Sequence, residues 1–528
     1  MAADFDVLIV GGGINGLTAA AYLARSGRSV LVVERSTVCG GSVAGTREFA
    51  GIDVAVSPFM ADLSMPEPRI CRDLGLDCAQ TAGATGTFVS LPATAPGGVL
   101  LTGDAESDAA ALERAGLGAG VGASAAAGSN DVRRIADARS ALTRALAPSV
   151  TEPLLRRTEA RSRLSPELWD AFIESPLANI VRLAVSDDTL RGALVAEALT
   201  ADHTFADDPS LAQNRAFVAE AISQASRDRV PAGGGSELAR SLTHAAVSAG
   251  ALITNGGTVQ RIQPMGEAPV RVTYRAAGET REVTAQRVLA TVPPWTLDEL
   301  LGDAHDAGRP EGATAIATLL VGRLPHIPGV TPADLAFRGA FIANASAELL
   351  DDARRQYGEG FIPVTLPCIV RVPTLADPRL LPLELRNSGA HIMQVTALGL
   401  PYSLGERMPP DLFRERVQSG ILRSLSAVFG ENIDDLVRAD ELGQPCVRTW
   451  TSVDIESEFG YPGGHIHQNT MAWPFVDEHD TMDSPAERWG VNTRHVRVFQ
   501  AGGSVRRAGA SAGLGGFAAA MAVFESDS

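Results

Sequence analysis

The chain has 528 residues and 45 basic side chains, all of them Arg, because Lys is absent from the whole sequence. Chemistry that needs an amine side chain is therefore excluded, including a Schiff-base lysine, a pyridoxal-phosphate anchor and the lysine of a G-x-x-x-x-G-K-[ST] phosphate loop. The 62 Asp and Glu leave a formal charge of −17, which argues against nucleic acid and anionic membrane surfaces as partners.

At 45% hydrophobic and 20% charged residues, the composition is that of an ordinary globular protein, long enough for about two interleaved domains. The cysteines (Cys39, Cys71, Cys78, Cys368 and Cys446) are too few for a disulfide scaffold, and none stands in a C-x-x-C pair. Asp4 and Asp6 directly precede the first apolar strand, so no signal peptide is expected. No apolar run reaches the roughly 18 residues of a membrane span. These features predict a cytoplasmic protein with no integral membrane segment.

In chain order, the first element is Asp6 to Val10 (DVLIV), a nearly continuous apolar run of the kind a central parallel strand buried on both faces shows. Gly11, Gly13 and Gly16 follow at G-x-G-x-x-G spacing, and Leu17 to Ser26 is an Ala-rich helical segment ending at Gly27. The glycines permit a tight turn, close approach of a pyrophosphate and close packing of helix on strand. The helix N-terminus, at Ile14 and Asn15, offers free N–H groups and a partial positive charge to the phosphates. A second apolar strand, Ser29 to Val33, ends at Glu34, 18 residues after Gly16. A carboxylate there can accept both hydroxyl hydrogens of an adenosine ribose, and its charge repels the 2′-phosphate of NADP.

After Glu34-Arg35 comes Cys39-Gly40-Gly41-Ser42, a second glycine turn predicted to bring backbone to the same phosphates, and Gly51-Ile52-Asp53 then leads to Ser57-Pro58-Phe59. Gly118, Gly120 and Ala123 repeat a relaxed form of the first motif. No apolar strand precedes them and no acid follows at the right distance, so Gly116 to Gly128 is expected to be a flexible connection between helices.

In its G-x-G-x-x-G motif, its Glu34-Arg35 pair and the turn at Gly41 with Thr46 nearby, the sequence resembles the flavoprotein family of phytoene desaturases and carotenoid oxidoreductases, which includes the pyridine nucleotide-disulfide oxidoreductase domain-containing protein 2 group. Later segments extend the resemblance. Arg229-Val230-Pro231 with Gly233-Gly234 and Leu238 is similar to the family's P-x-G-G-x-x-x-L helix start, Gly256 to Ile262 to a strand, and Arg287 to Pro294 to the strand that leaves the dinucleotide domain. Val496 to Gln500, Ala501-Gly502-Gly503 and the helix opened by Ser511-Ala512-Gly513 align with the family's glycine-rich end.

The resemblance implies an α/β fold, with a Rossmann-type FAD-binding domain joined to an α+β substrate domain as in the amine oxidases, and FAD as cofactor. It implies cofactor contacts at Arg35, Gly40, Gly41, Ser42 and Ser57, the Val259 backbone at the adenine, and Gly502, Gly503, Ala512 and Gly513 along the pyrophosphate, ribityl chain and flavin edge. The sequence departs from the family where His-Pro-Gly-Gly-Gly is replaced by Arg506-Arg507-Ala508-Gly509-Ala510. The two arginines either form a solvated basic turn or face the flavin or an anionic substrate.

These anchors predict a discontinuous FAD-binding domain over 1–90, 225–300 and 490–528, and a substrate domain over 91–224 and 301–489. Within the latter, Asp131 to Ala147 and Pro166 to Ala201 carry helical spacing, while Thr314 to Gly322 and Ala390 to Leu398 alternate as strands that would floor a pocket. Thr451, Asp454 and Glu456 and the Gly463-Gly464-His465-Ile466-His467 turn resemble the family's segment before the last flavin strand. On a strand, His465 and His467 would point the same way. They are the candidate catalytic pair, with a hydrogen-bonded structural pair as the alternative; no third ligand is near, so no metal is expected.

The expected reaction is transfer of a hydride from a small-molecule substrate to flavin N5, as dehydrogenase, desaturase or oxidase, with electrons leaving to oxygen, a quinone or another carrier. No second strand-glycine-helix site is present for NAD(P)H. Amine oxidation is the alternative, made less favourable because those enzymes hold a water at N5 with a lysine. A non-enzymatic protein binding a prenylated partner on the same fold is an alternative of another class.

Overall fold

Strands β1 (Phe5–Val10) and β2 (Val30–Glu34) are buried along nearly their whole length, and helix α1 (Ile14–Arg25) starts directly after Gly13 between them. In this computed structural model the described residues are 3–76, 86–91, 97–117, 125–224, 230–328, 330, 332–507 and 512–527. β1 is central in a seven-stranded sheet, paired in parallel with β2 and with Glu279–Ala290. Leu252–Asn255 joins outside β2, and Val498–Gln500 joins residues 288–290, both in parallel. The first half of Glu279–Ala290 pairs instead with antiparallel Ala268–Ala276, which turns back into Thr258–Met265. One sheet thus gathers the two ends of the chain and its middle.

Small residues set how closely the layers approach. The helices Gly234–Ser248 and Leu514–Ser526 both pack against α1 on one face of this sheet. A Cβ at Gly16 would stand 2.0 Å from the Gly11 carbonyl oxygen, and one at Gly516 would stand 1.8 Å from that of Asn15. The buried Ala518, Ala519 and Ala520 continue the same contact along the C-terminal helix. Backbone therefore meets backbone where the strand, α1 and the last helix converge.

A second seven-stranded sheet runs in the order Val447–Trp450, Thr314–Val321, His391–Leu398, Cys368–Arg371, Ala340–Ala343, Thr87–Ser90, Gly98–Leu101. Its pairs are antiparallel except for Ala340–Ala343 beside Thr87–Ser90. The strands expected at 314–322 and 390–398 are present, but neither has a solvent face: all eight residues of Thr314–Val321 are buried. Thr314 and Ile316 look into a cavity, while Ala315, Ala317 and Leu319 pack in a core that includes Phe413, Val417 and Ile421 of the Pro410–Phe429 helix.

The helical stretch predicted at 131–147 is the greater part of the helix Ala125–Leu146, which ends one residue earlier. The one predicted over 166–201 is broken into Pro166–Trp169 continued by Asp170–Glu174, then Leu177–Ala184 and Asp188–Ala196; Pro176 cannot continue the first piece and stands at the start of the next. The glycine stretch around Gly118 and Gly120 lies outside the described residues. Cys39, Cys368 and Cys446 are free thiols and Cys71 is disulfide-bonded. No helix among the described residues is long and apolar enough to cross a membrane.

Gly516→Ala is expected to destabilise the protein by about 1–3 kcal/mol, because the added methyl must push the C-terminal helix off α1. A lowered urea midpoint checks this; a wild-type midpoint would show that the two helices part freely.

Candidate functional site

The carboxyl ends of β1 and β2 and the central strands of the second sheet enclose one cavity of about 810 Å³. Its first wall is the turn between β1 and α1, where Gly11, Gly13, Ile14 and Asn15 line the space. Gly11 has φ 98°, and a Cβ there would stand 2.3 Å from Thr291 Oγ1, so both conformation and space require glycine. Thr291 donates to the Val10 carbonyl at 2.8 Å and thereby ties the returning strand to this turn. The second glycine turn is stacked on the first: Gly40 N–H donates to Gly12 O at 2.9 Å, and a Cβ at Gly41 would be 3.3 Å from the Gly13 Cα. Gly40, Gly41 and Ser42 all line the cavity.

Glu34 lies at the end of β2, 7% exposed, with its carboxylate held by two backbone donors. Gly12 N–H donates to Oε2 at 2.6 Å and Ser36 N–H to Oε1 at 2.7 Å. Each oxygen keeps a further lone pair, and the residue lines the cavity beside Arg35, Gly257 and Val259. Arg35 donates from Nη2 to the Glu458 carbonyl at 2.8 Å.

A second helix N-terminus faces the same space. Ala512 and Gly513 line it, and Gly513, at φ 78°, caps the Leu514–Ser526 helix with no room for a Cβ against Thr18 Oγ1. Asn15 Oδ1 accepts the Gly516 N–H at 3.2 Å, which joins the two helix starts. Gly503 also reaches the cavity. Gly16 and Gly502 do not line it; they act from behind, Gly502 because a Cβ would stand 2.6 Å from Thr291 O.

Ser57 was expected at the cofactor, but it is buried elsewhere; its carbonyl accepts from Gln394 Nε2 at 2.9 Å, and it does not line the cavity. His465 and His467 are not on a strand. They follow the short 3₁₀ turn Pro462–Gly464, and Gly463 and Gly464 take left-handed φ values of 59° and 63°, so the alternation expected of a strand does not apply. His467 lines the cavity, whereas His465 is fully buried behind it with Nε2 at 3.1 Å from Asp202 Oδ1. Thr451 and Asp454 form a helix capping box, with Asp454 also paired to Arg414.

Neither proposed role of the two C-terminal arginines is met. Arg507 is 1% exposed and donates to the carbonyls of Ser149 and Glu152, with its guanidinium 4.7 Å over Trp489. Burial pushes its pKa down to about 10. Arg506 donates to Phe475 O at 2.7 Å and pairs with Asp480. It lines only a small side chamber next to His467. Both are occupied by protein acceptors and neither lines the large cavity.

Several site residues carry no sequence signal. Tyr461 OH lies 2.7 Å from Ser42 Oγ, and Gln468 Oε1 accepts the Gly503 N–H at 3.3 Å, so the 461–468 segment spans from one glycine turn to the other. At the far end of the cavity, Arg371 pairs with Glu197 at 2.6 Å and with Asp62 at 3.4 Å, and all three line the space with Thr314 and Thr396.

Residues 9–64 match the model of the NAD(P)-binding Rossmann-like domain. Over 98% of its length the chain is 35% identical to the uncharacterised protein Rv0897c of Mycobacterium tuberculosis, covering 97% of that protein. The chain belongs to that protein's family. It is also 23% identical to pyridine nucleotide-disulfide oxidoreductase domain-containing protein 2 of Rattus norvegicus, over 89% of this chain and 85% of the rat protein. Among solved structures, cyclohexylamine oxidase from Brevibacterium oxydans superposes with a TM-score of 0.55 at 15% identity, over 99% of this chain and 100% of that one. The fold is therefore the one that cyclohexylamine oxidase has.

The cavity fits FAD, the cofactor expected from the sequence, since the two glycine turns leave backbone bare for phosphates to approach and Glu34 offers carboxylate acceptors for a ribose. Glu34→Ala is expected to weaken FAD binding by about 1–3 kcal/mol through loss of charge-assisted hydrogen bonds. Titration of the flavin-free protein with FAD checks this, and unchanged affinity would place the ribose elsewhere.

Proposed function

We propose that this protein is an FAD-dependent dehydrogenase or oxidase that takes a hydride from a C–H bond of a small, largely apolar or biosynthetic molecule, with desaturation as the leading outcome. The observation that carries the reading is one continuous cavity. Two glycine turns, two helix N-termini and Glu34 line it together with His467 and the polar strand residues Thr314 and Thr396. When bound, FAD supplies the hydride acceptor, and the electrons then leave to oxygen, a quinone or another carrier.

The residues of the chain do the rest. The Gly11–Gly16 turn and the N-termini of α1 and Leu514–Ser526 hold the pyrophosphate with backbone N–H groups and partial positive charge. Glu34 accepts from the ribose, and the backbone at Val259 borders the adenine. The second sheet, backed by its buried core, closes the substrate end against water. His467 is the side chain proposed to orient the substrate or take a proton from it. His465, which does not reach the cavity, takes no direct part. In this reading residues 1–90, 225–300 and 490–528 form the cofactor domain and 91–224 with 301–489 the substrate domain.

The Arg371 ion pairs with Glu197 and Asp62 at the substrate end favour a molecule with a polar end. They support C–N oxidation as a second reading.

The purified protein is expected to be yellow, and a protein that stays colourless after incubation with FAD would sink both readings. Anaerobic mixing with polyene, amino-acid-derived and amine candidates is expected to bleach the flavin only for the true substrate class. With that substrate, His467→Ala should slow flavin reduction by about 100-fold or more at unchanged FAD content. A wild-type rate would reduce His467 to a packing residue.

A further inference from the structure

Three backbone passes meet beneath His467. Ala313 N–H donates to Ala201 O at 2.9 Å, and Gly312 N–H donates to Gly463 O at 2.9 Å. The approach is so close that a Cβ at Gly312 would stand 2.5 Å from Gly464 O, and one at Gly464 would stand 1.9 Å from Ser452 O. Gln468, just past His467, has φ 65°, a left-handed conformation that a non-glycine residue holds only where the surroundings enforce it. The segment that presents His467 is thus fixed on both sides.

These passes bring Asp202 to His465 across 263 positions of sequence. His465 Nε2 lies 3.1 Å from Asp202 Oδ1, and the other ring nitrogen, Nδ1, faces the His467 N–H at 3.2 Å. A backbone N–H can only donate and a carboxylate only accept. The imidazole therefore carries its proton on Nε2 and accepts on Nδ1, a neutral tautomer with both nitrogens satisfied and the ring fully buried. The second carboxylate oxygen of Asp202 is buried with no hydrogen-bond partner among the described residues. Burial pushes this carboxyl upward, but the hydrogen bond from His465, with the positive charge of His467 and Arg215 nearby, outweighs it, and its pKa lies below the usual value.

His467 also has a second neighbour space. A chamber of about 30 Å³, lined by Asn469, Thr470, Gly503, Ser504 and Arg506, lies on its other side. It is large enough for a water molecule. His467 belongs to the partition between chamber and cavity.

We propose that Asp202 and His465 are positioning residues, a pair locked in one tautomer that fixes the His467 backbone in this partition and sets a buried negative charge near its side chain. The proposal rests on the reading of His467 as the proton-handling group of the cavity. Asp202 acts electrostatically on His467 and has Arg215 near it, while Glu220 lines the cavity and Arg506 the chamber that His467 borders. Asp202 is the one whose charge His465 relays through a hydrogen bond to the His467 backbone. Its negative charge favours the protonated form of His467.

The test is histidine-¹⁵N NMR of the full chain with and without FAD, with the two signals assigned by His465→Gln and His467→Gln. His465 is expected to show the neutral Nε2–H tautomer. Asp202→Asn is expected to lower the proton affinity of His467 roughly tenfold, one pH unit in its midpoint, while FAD affinity stays within about twofold. An Nδ1–H or charged His465, or an unmoved His467 midpoint in Asp202→Asn, would overturn the proposal. If Asp202→Asn does not fold, the His465 tautomer in the unaltered protein still decides. If FAD never binds, the functional reading fails while the spectra of the flavin-free protein still test the pair.

Discussion

Close backbone approach is the constraint on which the rest of the structure depends. β1, α1, the Gly40–Gly41 turn and the C-terminal helix meet at distances where a single Cβ would collide with a carbonyl oxygen or a neighbouring side chain, as at Gly16, Gly516 and Gly513. Only small residues at these positions let two helix N-termini open on the same space. Each terminus alone offers a few unpaired N–H groups and a fraction of a charge. Together, with Thr291 and Asn15 tying the segments to one another, they make one compact floor, assembled from sequence-distant ends of the chain, on which the proposed pyrophosphate would rest. The discontinuity of the sheet is the cost of that convergence.

The second sheet performs a different task. Its central strands are buried on both faces, so their few polar residues stand out chemically. Thr314, Thr396 and Arg371 line the cavity, and the guanidinium of Arg371 is held between Glu197 and Asp62. A buried charge needs such fixed partners, and once fixed it defines direction and polarity for whatever enters. The 461–468 segment closes the gap between the sheets by gripping Ser42 at one end and Gly503 at the other. Cofactor cradle and substrate wall are therefore linked through Tyr461 and Gln468, and His467 is held between them.

The cradle was legible in the sequence because its physics is local. A strand, three glycines, a helix and an acid 18 residues on must lie side by side whatever the rest of the chain does, and the observed strands and helix match the expected ones to within a few residues. The wall was not legible. Nothing near His465 predicts that Asp202, 263 positions away, supplies its partner, and the strand expected there gives way to a left-handed turn dictated by Gly463 and Gly464. Ser57 sits close in sequence to the cradle yet faces Gln394 of the second sheet. The arginine pair shows the same limit from the other side: side-chain type gave the charge, but whether Arg507 meets solvent, ligand or backbone depends on the carbonyls of Ser149 and Glu152, set by a loop hundreds of residues earlier.

The absence of lysine takes on a sharper meaning in this geometry. Every cation of the site is a guanidinium, which does not give up its proton in proteins. Arg35, Arg371, Arg506 and Arg507 are each held by carbonyl or carboxylate acceptors, so they supply fixed charge and fixed shape rather than proton exchange. Proton traffic at the cavity then falls to imidazole and carboxylate groups. Of the carboxylates at the substrate end, Glu197 and Asp62 are tied to Arg371, and His465 behind the wall is committed at both ring nitrogens. His467 lines both the cavity and the small chamber. A chain without lysine thus leaves proton transfer to carboxylates and to an imidazole, His467, whose backbone the fold holds from two sides.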